Sequence, residues 1–193
     1  MNDESAAAIP RRRDAVATRA AILRSAVVAF TRSGYDGAGV REIAEAAGVT
    51  AMLVNRYFGS KEGLFTEAVE VAFARPTLLT DDPASLSHDV ATALLRTDTP
   101  DVDPANGFLL MLRSLSNPRA TEILRDSINR HFEQRLAALL PGARATERAA
   151  LFLSVIAGVQ LMRNAVGSTF LVTGDPAALA RLLESVLQQL VDR

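Results

Sequence analysis

The sequence predicts an all-α protein: a three-helix head carrying a helix-turn-helix, then a larger helical domain, about nine helices in total. Three observations carry this. The stretch Val40 to Lys61, VREIAEAAGVTAMLVNRYFGSK, divides into two short helical patterns about a glycine. Apolar residues recur at helical spacing on its N-terminal side, through Ile22, Leu23, Ala26, Val27 and Phe30. After Thr80 the same spacing runs to the C-terminus, divided only by proline-containing breaks. The implied organisation is an N-terminal arm over 1–13, a head over 14–60, a connecting helix over 61–76 and a helical domain over 77–193.

Residues 1–10 are small and polar without periodicity and are expected to be disordered; Arg11, Arg12 and Arg13 follow as a basic arm. The arm is either a solvated tail or a segment that tracks phosphates or a minor groove. From Asp14 to about Arg32 the chain reads as an amphipathic helix ended by Ser33-Gly34.

In the next helix Val40, Ile43, Ala44 and Ala47 share a face, while Arg41, Glu42 and Glu45 point elsewhere. Gly48 ends it, because glycine accepts positive φ without a Cβ clash. Thr50 then offers its hydroxyl to the free amides of a helix beginning at Ala51. At 100° per residue, Val54 and Phe58 fall on one side of that helix with Ala51 nearby, and Met52, Asn55 and Arg56 on the other. Asparagine pairs bidentately with adenine and arginine with guanine, and methionine can touch a thymine methyl, so this stripe suits the reading of base edges. Tyr57 on the flank and Lys61 at the next helix start suit phosphate contacts, which set register without reading sequence.

Ser60 fits an N-cap for a helix over Leu64, Phe65, Ala68, Val71 and Ala72, ended by Arg75-Pro76. Asp82-Pro83 is expected to open a helix through Leu86, Val90, Ala93 and Leu94. The acidic run from Thr97 to Pro104 lacks the spacing, glycine and final glutamate of a calcium loop and reads as solvated. A short apolar helix spans Gly107 to Leu115, and Asn117-Pro118 caps a longer one to Leu140 with a stripe of Leu124, Ile128, Phe132, Leu136 and Leu139.

From Thr146 to about Val166 the apolar residues go nearly all round, so that helix needs cover on both sides. Ser154, Ala157 and Gly158 allow a second helix close approach. The final helix, opened by Asp175-Pro176, repeats Leu179, Leu182, Leu183, Val186, Leu187 and Leu190 in a broad seam. Taken alone, these two helices fit either the core of one domain or a helix-pair interface.

The net charge of −1 hides a division: residues 10–75 hold ten Arg or Lys against seven Asp or Glu, and residues 76–193 hold eleven against thirteen. The positive charge lies at the head. No cysteine occurs, so there is no disulfide framework or thiolate chemistry. No apolar h-region follows the first charges, and Arg163 is read as interrupting the longest apolar helix, so a cytoplasmic protein without a membrane span is expected. Nothing suggests an enzyme: there is no phosphate loop, histidine cluster or nucleophile elbow, His88 and His131 are far apart, and Glu42 and Glu45 read as surface charges. No catalytic residue, metal or cofactor is expected.

The segments TRAAILRSAVVAFTRSGY, VREIAEAAGVT and RYFGSKEGLF together resemble the DNA-binding head of the tetracycline-repressor (TetR) family, over about a third of the chain from Thr18 to Glu70. The resemblance implies a ligand-responsive regulator, a repressor released from a palindromic operator by a small molecule. It implies Arg41, Thr50, Ala51, Met52, Asn55, Arg56, Tyr57 and Lys61 as the DNA-contacting set. It also implies that the last two helices pair with a second copy through Ser154, Ala157, Gly158, Leu179, Leu183, Val186 and Leu190, presenting two heads to half-sites about 34 Å apart. Helices between Leu86 and Met162 would enclose an effector, expected to be apolar or aromatic, with Phe108, Met111, Leu112, His131, Phe132, Phe152 and Gln160 as candidate lining. The competing reading is a DNA-binding regulator without a ligand, governed by a protein partner or by abundance.

Three positions depart from the family pattern. Ala38 and Gly39 stand where members commonly carry a Thr or Ser cap, so the cap should be weaker by a few tenths of a kcal/mol, or ~0.3. Asn55 replaces a usual Tyr and Met52 a frequent Gly or Pro, so the operator of a relative does not transfer.

Overall fold

The computed structural model describes residues 8–74, 82–96 and 107–192, with the side chains of 8–13 left aside. The expected contacts of Arg11–Arg13, the helix stop at Arg75-Pro76 and the acidic loop of 97–104 lie outside what is described. Every regular element among the described residues is helical, and counting across two π turns gives ten helices. Two compact units form: α1–α4, α6 and the start of α7 to Leu124 in one, and α5 with everything from Arg125 onward in the other.

In the first unit α1 runs Ala8–Gly37, α2 Val40–Ala46, α3 Ala51–Phe58, α4 Lys61–Phe73 and α6 Gly107–Ser114. The backbone is helical from Ala8, which corrects the expected disordered arm over 8–13; Pro10 is tolerated because first-turn amides have no intrahelical acceptor. The break expected at Gly34 is a kink, with φ 67°, after which one more turn continues to Gly37. Ile22, Ala26, Val27 and Phe30 of α1 are buried with Ile43 and Ala44 of α2, Val54 and Phe58 of α3, and Leu64, Phe65 and Ala68 of α4. Phe65 holds the centre, edge-on to Phe30 and to Tyr35 with ring centroids 4.9 Å apart in each pair.

α7 begins at Pro118, where the Asn117 side chain accepts from the Ala120 amide at 3.0 Å, and runs to Ile128. A π turn, Asn129–Glu133, joins it to α8, Gln134–Leu139. The sequence did not announce this turn, yet its apolar stripe needs it. Residues spaced by four overshoot each α turn by about 40°, and the wider turn takes up the drift. The buried positions after the turn are therefore Leu136 and Leu140, with Leu139 only half-buried.

In the second unit α5, Leu86–Leu95, packs along α11, Pro176–Val191, and α9, Ala145–Gln160, packs on α8 and α11. Asp82 does not open α5 directly: its carboxylate accepts from the Ala84 amide at 3.0 Å in the turn before Leu86. Leu86, Val90, Leu136, Phe152 and Leu187 are fully buried together. Asp175 caps α11 as expected, accepting from the Ala177 amide at 3.0 Å. A second π turn, Leu161–Ala165, follows α9, and an unforeseen five-residue helix, α10 at Thr169–Thr173, precedes α11.

The expectation about membrane-spanning length is corrected here. Ala145–Ala165 is long and apolar enough to cross a bilayer, with mean hydropathy 1.3 despite Arg163. Its two arginines close helix ends: Arg148 Nη1 donates to the carbonyls of Leu190 and Val191 at 3.0 Å, and Arg163 donates to those of Leu94 and Arg96.

Candidate nucleic-acid interface

The α2–α3 turn is built from backbone bonds and one side chain. The Gly48 amide reaches the Glu45 carbonyl at 3.0 Å and the Val49 amide reaches that of Ala44 at 2.9 Å, with Gly48 at φ 68°. Thr50 Oγ1 accepts from the Leu53 amide at 3.3 Å, so the expected N-cap is present. Gly39 caps α2 without any side-chain bond, as its departure from the usual Thr or Ser implied.

Along α3, Val54 and Phe58 are buried, and Ala51 and Tyr57 are half-covered. Met52 is 81% exposed, and Asn55 and Arg56 beside it are exposed as well. The Arg56 guanidinium lies 5.8 Å from the Tyr57 ring centroid, an arrangement that holds the long side chain along the helix. Arg41 is exposed on α2. Arg19 has a scaffolding place: it covers the Phe58 ring at 5.1 Å and pairs with Glu67.

The junction of α3 and α4 is tighter than its residues suggested. Ser60 Oγ accepts from the Gly63 amide at 3.1 Å. Glycine stands at that capping-box position because a β-carbon there would collide with the Phe58 carbonyl oxygen. Lys61 is half-covered, its Nζ 3.4 Å from the Asp36 carbonyl oxygen and 4.9 Å from the Tyr35 ring centroid. Its ammonium thus completes the C-terminal end of α1, where cations are favoured.

Behind this junction lies a cluster that sequence reasoning missed. Arg113 Nη1 donates to the carbonyls of Thr31 and Arg32 at 2.7 and 3.0 Å. The Tyr35 amide donates to Ser114 Oγ at 3.0 Å, and Asn117 Nδ2 to the Asp36 carboxylate at 2.8 Å. Arg119 grips Glu62 Oε1 through Nε at 2.9 Å and Nη2 at 2.7 Å, and reaches Glu122 at 2.6 Å. The hydrogen bond from Arg119 holds the Glu62 carboxyl below its usual range, and the two carboxylates hold Arg119 protonated. Partial burial, then the fields of Glu62 and Asp36, push the Tyr35 phenol up. These partners stand 57 to 82 positions apart, so no local spacing marks them.

The candidate effector-lining residues divide between the units. Phe108, Met111 and Leu112 are half-buried on α6, in the first; His131, Phe132, Phe152 and Gln160 are in the second. Phe152 is fully buried in the apolar core, Phe132 packs against that core, and the His131 ring lies 6.3 Å from that of Phe132. Of the candidate pairing residues, Ser154, Gly158 and Val186 are exposed, whereas Ala157, Leu179, Leu183 and Leu190 are half-buried. No group of three metal-ligating side chains occurs among the described residues.

Comparison with known proteins covers both parts of the chain. Residues 22–68 match the model for bacterial regulatory proteins of the tetR family, and residues 84–191, just over half of the chain, match the tetracyclin repressor-like C-terminal domain. The HTH-type transcriptional regulatory protein RaaS of Mycobacterium tuberculosis is 58% identical over 45 residues, 23% of this chain and 21% of that one. The HTH-type transcriptional repressor NicS of Pseudomonas putida is 33% identical over 95 residues, 49% of this chain and 39% of that one. The matches thus span less than half the length of either relative. The multidrug binding protein EbrR, solved in complex with ethidium, superposes with a TM-score of 0.64 at 22% identity, over 91% of this chain and 99% of that one.

Proposed function

We propose, since this chain belongs to the TetR family of bacterial regulatory proteins, that it represses transcription as a homodimer on a palindromic operator and is released by a small molecule. The observation that carries the DNA role is the bare face of α3, where Met52, Asn55 and Arg56 stand exposed over buried Val54 and Phe58. A helix anchored on one side with guanine- and adenine-pairing side chains on the other is suited to a major groove. Arg41, Thr50, Ala51, Tyr57 and Lys61 would position it on phosphates.

Support for pairing comes from the second unit. Leu151 of α9, Leu182 and Val186 of α11 and Phe170 of α10 are 56%, 67%, 49% and 84% exposed, an apolar surface larger than isolated leucines account for. A second copy of the same two helices would cover it and bring two heads to two half-sites. The effector is apolar or aromatic in this reading, in keeping with the aromatic candidates Phe108, Phe132 and Phe152 and with the ethidium bound by EbrR. An effector acts only through its differential affinity for the DNA-bound and free conformations. The place of action is the cytoplasm, where the operator is.

Selection from a random DNA pool with purified protein, followed by sequencing of the bound fraction, tests the reading. A palindromic motif is expected; recovery of no motif at moderate salt would overturn it. A thermal-shift screen against hydrophobic cations and aromatics tests the effector, because a ligand that binds the native state raises the unfolding temperature by mass action. A folded dimer that nothing stabilises would favour control by a partner or by abundance.

A further inference from the structure

We propose that Arg119 sets the DNA affinity of the head without touching DNA, by neutralising the Glu62 carboxylate next to Lys61. The inference rests on the DNA-binding reading of the head and assigns a role that no base or phosphate contact requires. Glu62 is the second residue of α4, directly after Lys61 and three residues past the last turn of α3. Asp36 lies on the other side of the same lysine, its main-chain oxygen 3.4 Å from the Lys61 ammonium. Two carboxylates therefore flank the cation that would meet a phosphate.

Their charges are treated differently. Asp36 receives only a neutral amide, that of Asn117 at 2.8 Å. Glu62 receives two guanidinium donors from Arg119, at 2.7 and 2.9 Å. Both donors come from the Asn117–Arg119 entry to α7, so one short segment attends both carboxylates. The field of this group reaches the lysine's neighbour: Glu62 and Asp36 raise the Tyr35 phenol pKa and Arg119 opposes them, and the same ring lies 4.9 Å from the Lys61 ammonium. With Arg119 in place the patch around Lys61 carries one uncompensated carboxylate; without it the patch carries two, facing a polyanion. The affinity of the head thus depends on whether the first turn of α7 stays docked on α4.

The test uses the full chain and the DNA sequence recovered by selection, with binding followed by fluorescence anisotropy over a range of salt. Arg119→Ala should weaken binding on the order of threefold to tenfold at low salt, with the difference shrinking as salt screens the patch. In the Glu62→Gln background the same change should have no effect, since there is no charge left to neutralise. Arg119→Gln, which retains an amide donor and the apolar stem, should lose affinity like Arg119→Ala. Wild-type affinity in Arg119→Ala would overturn the inference. So would equal weakening of the Glu62→Gln background, which would mean that Arg119 acts through the position of α7. Thermal unfolding of each variant establishes that a folded protein is being compared. Failure of the wild-type chain to bind any selected sequence would instead sink the DNA-binding reading, so the two failures are separable.

Discussion

Gly34 and Arg113 meet backbone to backbone: the Arg113 carbonyl oxygen occupies the space that a β-carbon on Gly34 would need. The Arg113 side chain meanwhile turns to the Thr31 and Arg32 carbonyls, so α6 closes the end of α1 by shape and by hydrogen bonding at once.

Gly34→Ala should therefore destabilise the head by about 2–3 kcal/mol, combining a φ of 67° with a collision that no rotamer relieves. Gly48→Ala is the control. Gly48 has nearly the same φ, 68°, but an added β-carbon meets nothing within 4 Å, and the cost should be only about 1 kcal/mol. Chemical denaturation of the two variants checks the difference; equal losses would mean that the carbonyl contact yields easily.

Arg56→Ala should lose about 1–3 kcal/mol of discrimination at particular base pairs, whereas Lys61→Ala should weaken all sequences alike and reduce the salt slope by about 1. Binding measured on the selected motif and on single-base variants separates the two. Uniform weakening by Arg56→Ala would remove it from base reading.

A β-carbon on Gly158 meets nothing within 4 Å inside its own subunit, so Gly158→Leu should leave the fold of one chain intact while blocking close approach by another. Leu182→Asp should act on the same surface through charge. Both variants are expected to elute from gel filtration as monomers with a helical circular dichroism spectrum. An unchanged dimer in both would move the interface elsewhere.

The Arg119–Glu62 bridge should give stability a defined acid limit. Its hydrogen bond lowers the Glu62 pKa in the folded state from the usual 4.5, so the unfolded chain takes up the proton first as pH falls. Stability from the bridge is then fully present above about 4.5 and is lost as pH drops through the lower folded value. The advantage of the wild type over Glu62→Gln should hold from neutral pH to near 4.5 and fade below it. Denaturation at a series of pH values reads this directly, and an advantage that persisted in strong acid would argue against an ionic bridge.

The parts of the site that were legible in the sequence are those whose causes are local. Gly48, Thr50 and the alternation of Val54 and Phe58 with Asn55 and Arg56 act within one or two turns, so spacing alone places them. Ser60 as a cap was legible for the same reason, but the glycine at Gly63 was not, because its cause is the Phe58 carbonyl brought round by the turn. Arg113, Asn117 and Arg119 were invisible: their partners come from α1 and α4, and a surface arginine on a helix looks alike whether it meets water or a carboxylate. The fold class was legible because apolar periodicity is repeated in every element. The π turns were not, since they change the count of residues per turn and leave composition untouched.

The π turn at Asn129–Glu133 has a consequence for how this chain tolerates changes in length. Its hydrogen-bonded rings hold one residue more than those of an α-helix, so the segment can lose that residue and remain helical. What would change is phase. Deleting one residue there would rotate everything downstream by roughly 100°, carrying Leu136 and Leu140 off the core and replacing them with neighbours such as Gln134 and Arg135. The turn acts as a one-residue spacer that keeps two halves of a long helix in register, and a chain shortened or lengthened at that point would need a different apolar sequence beyond it.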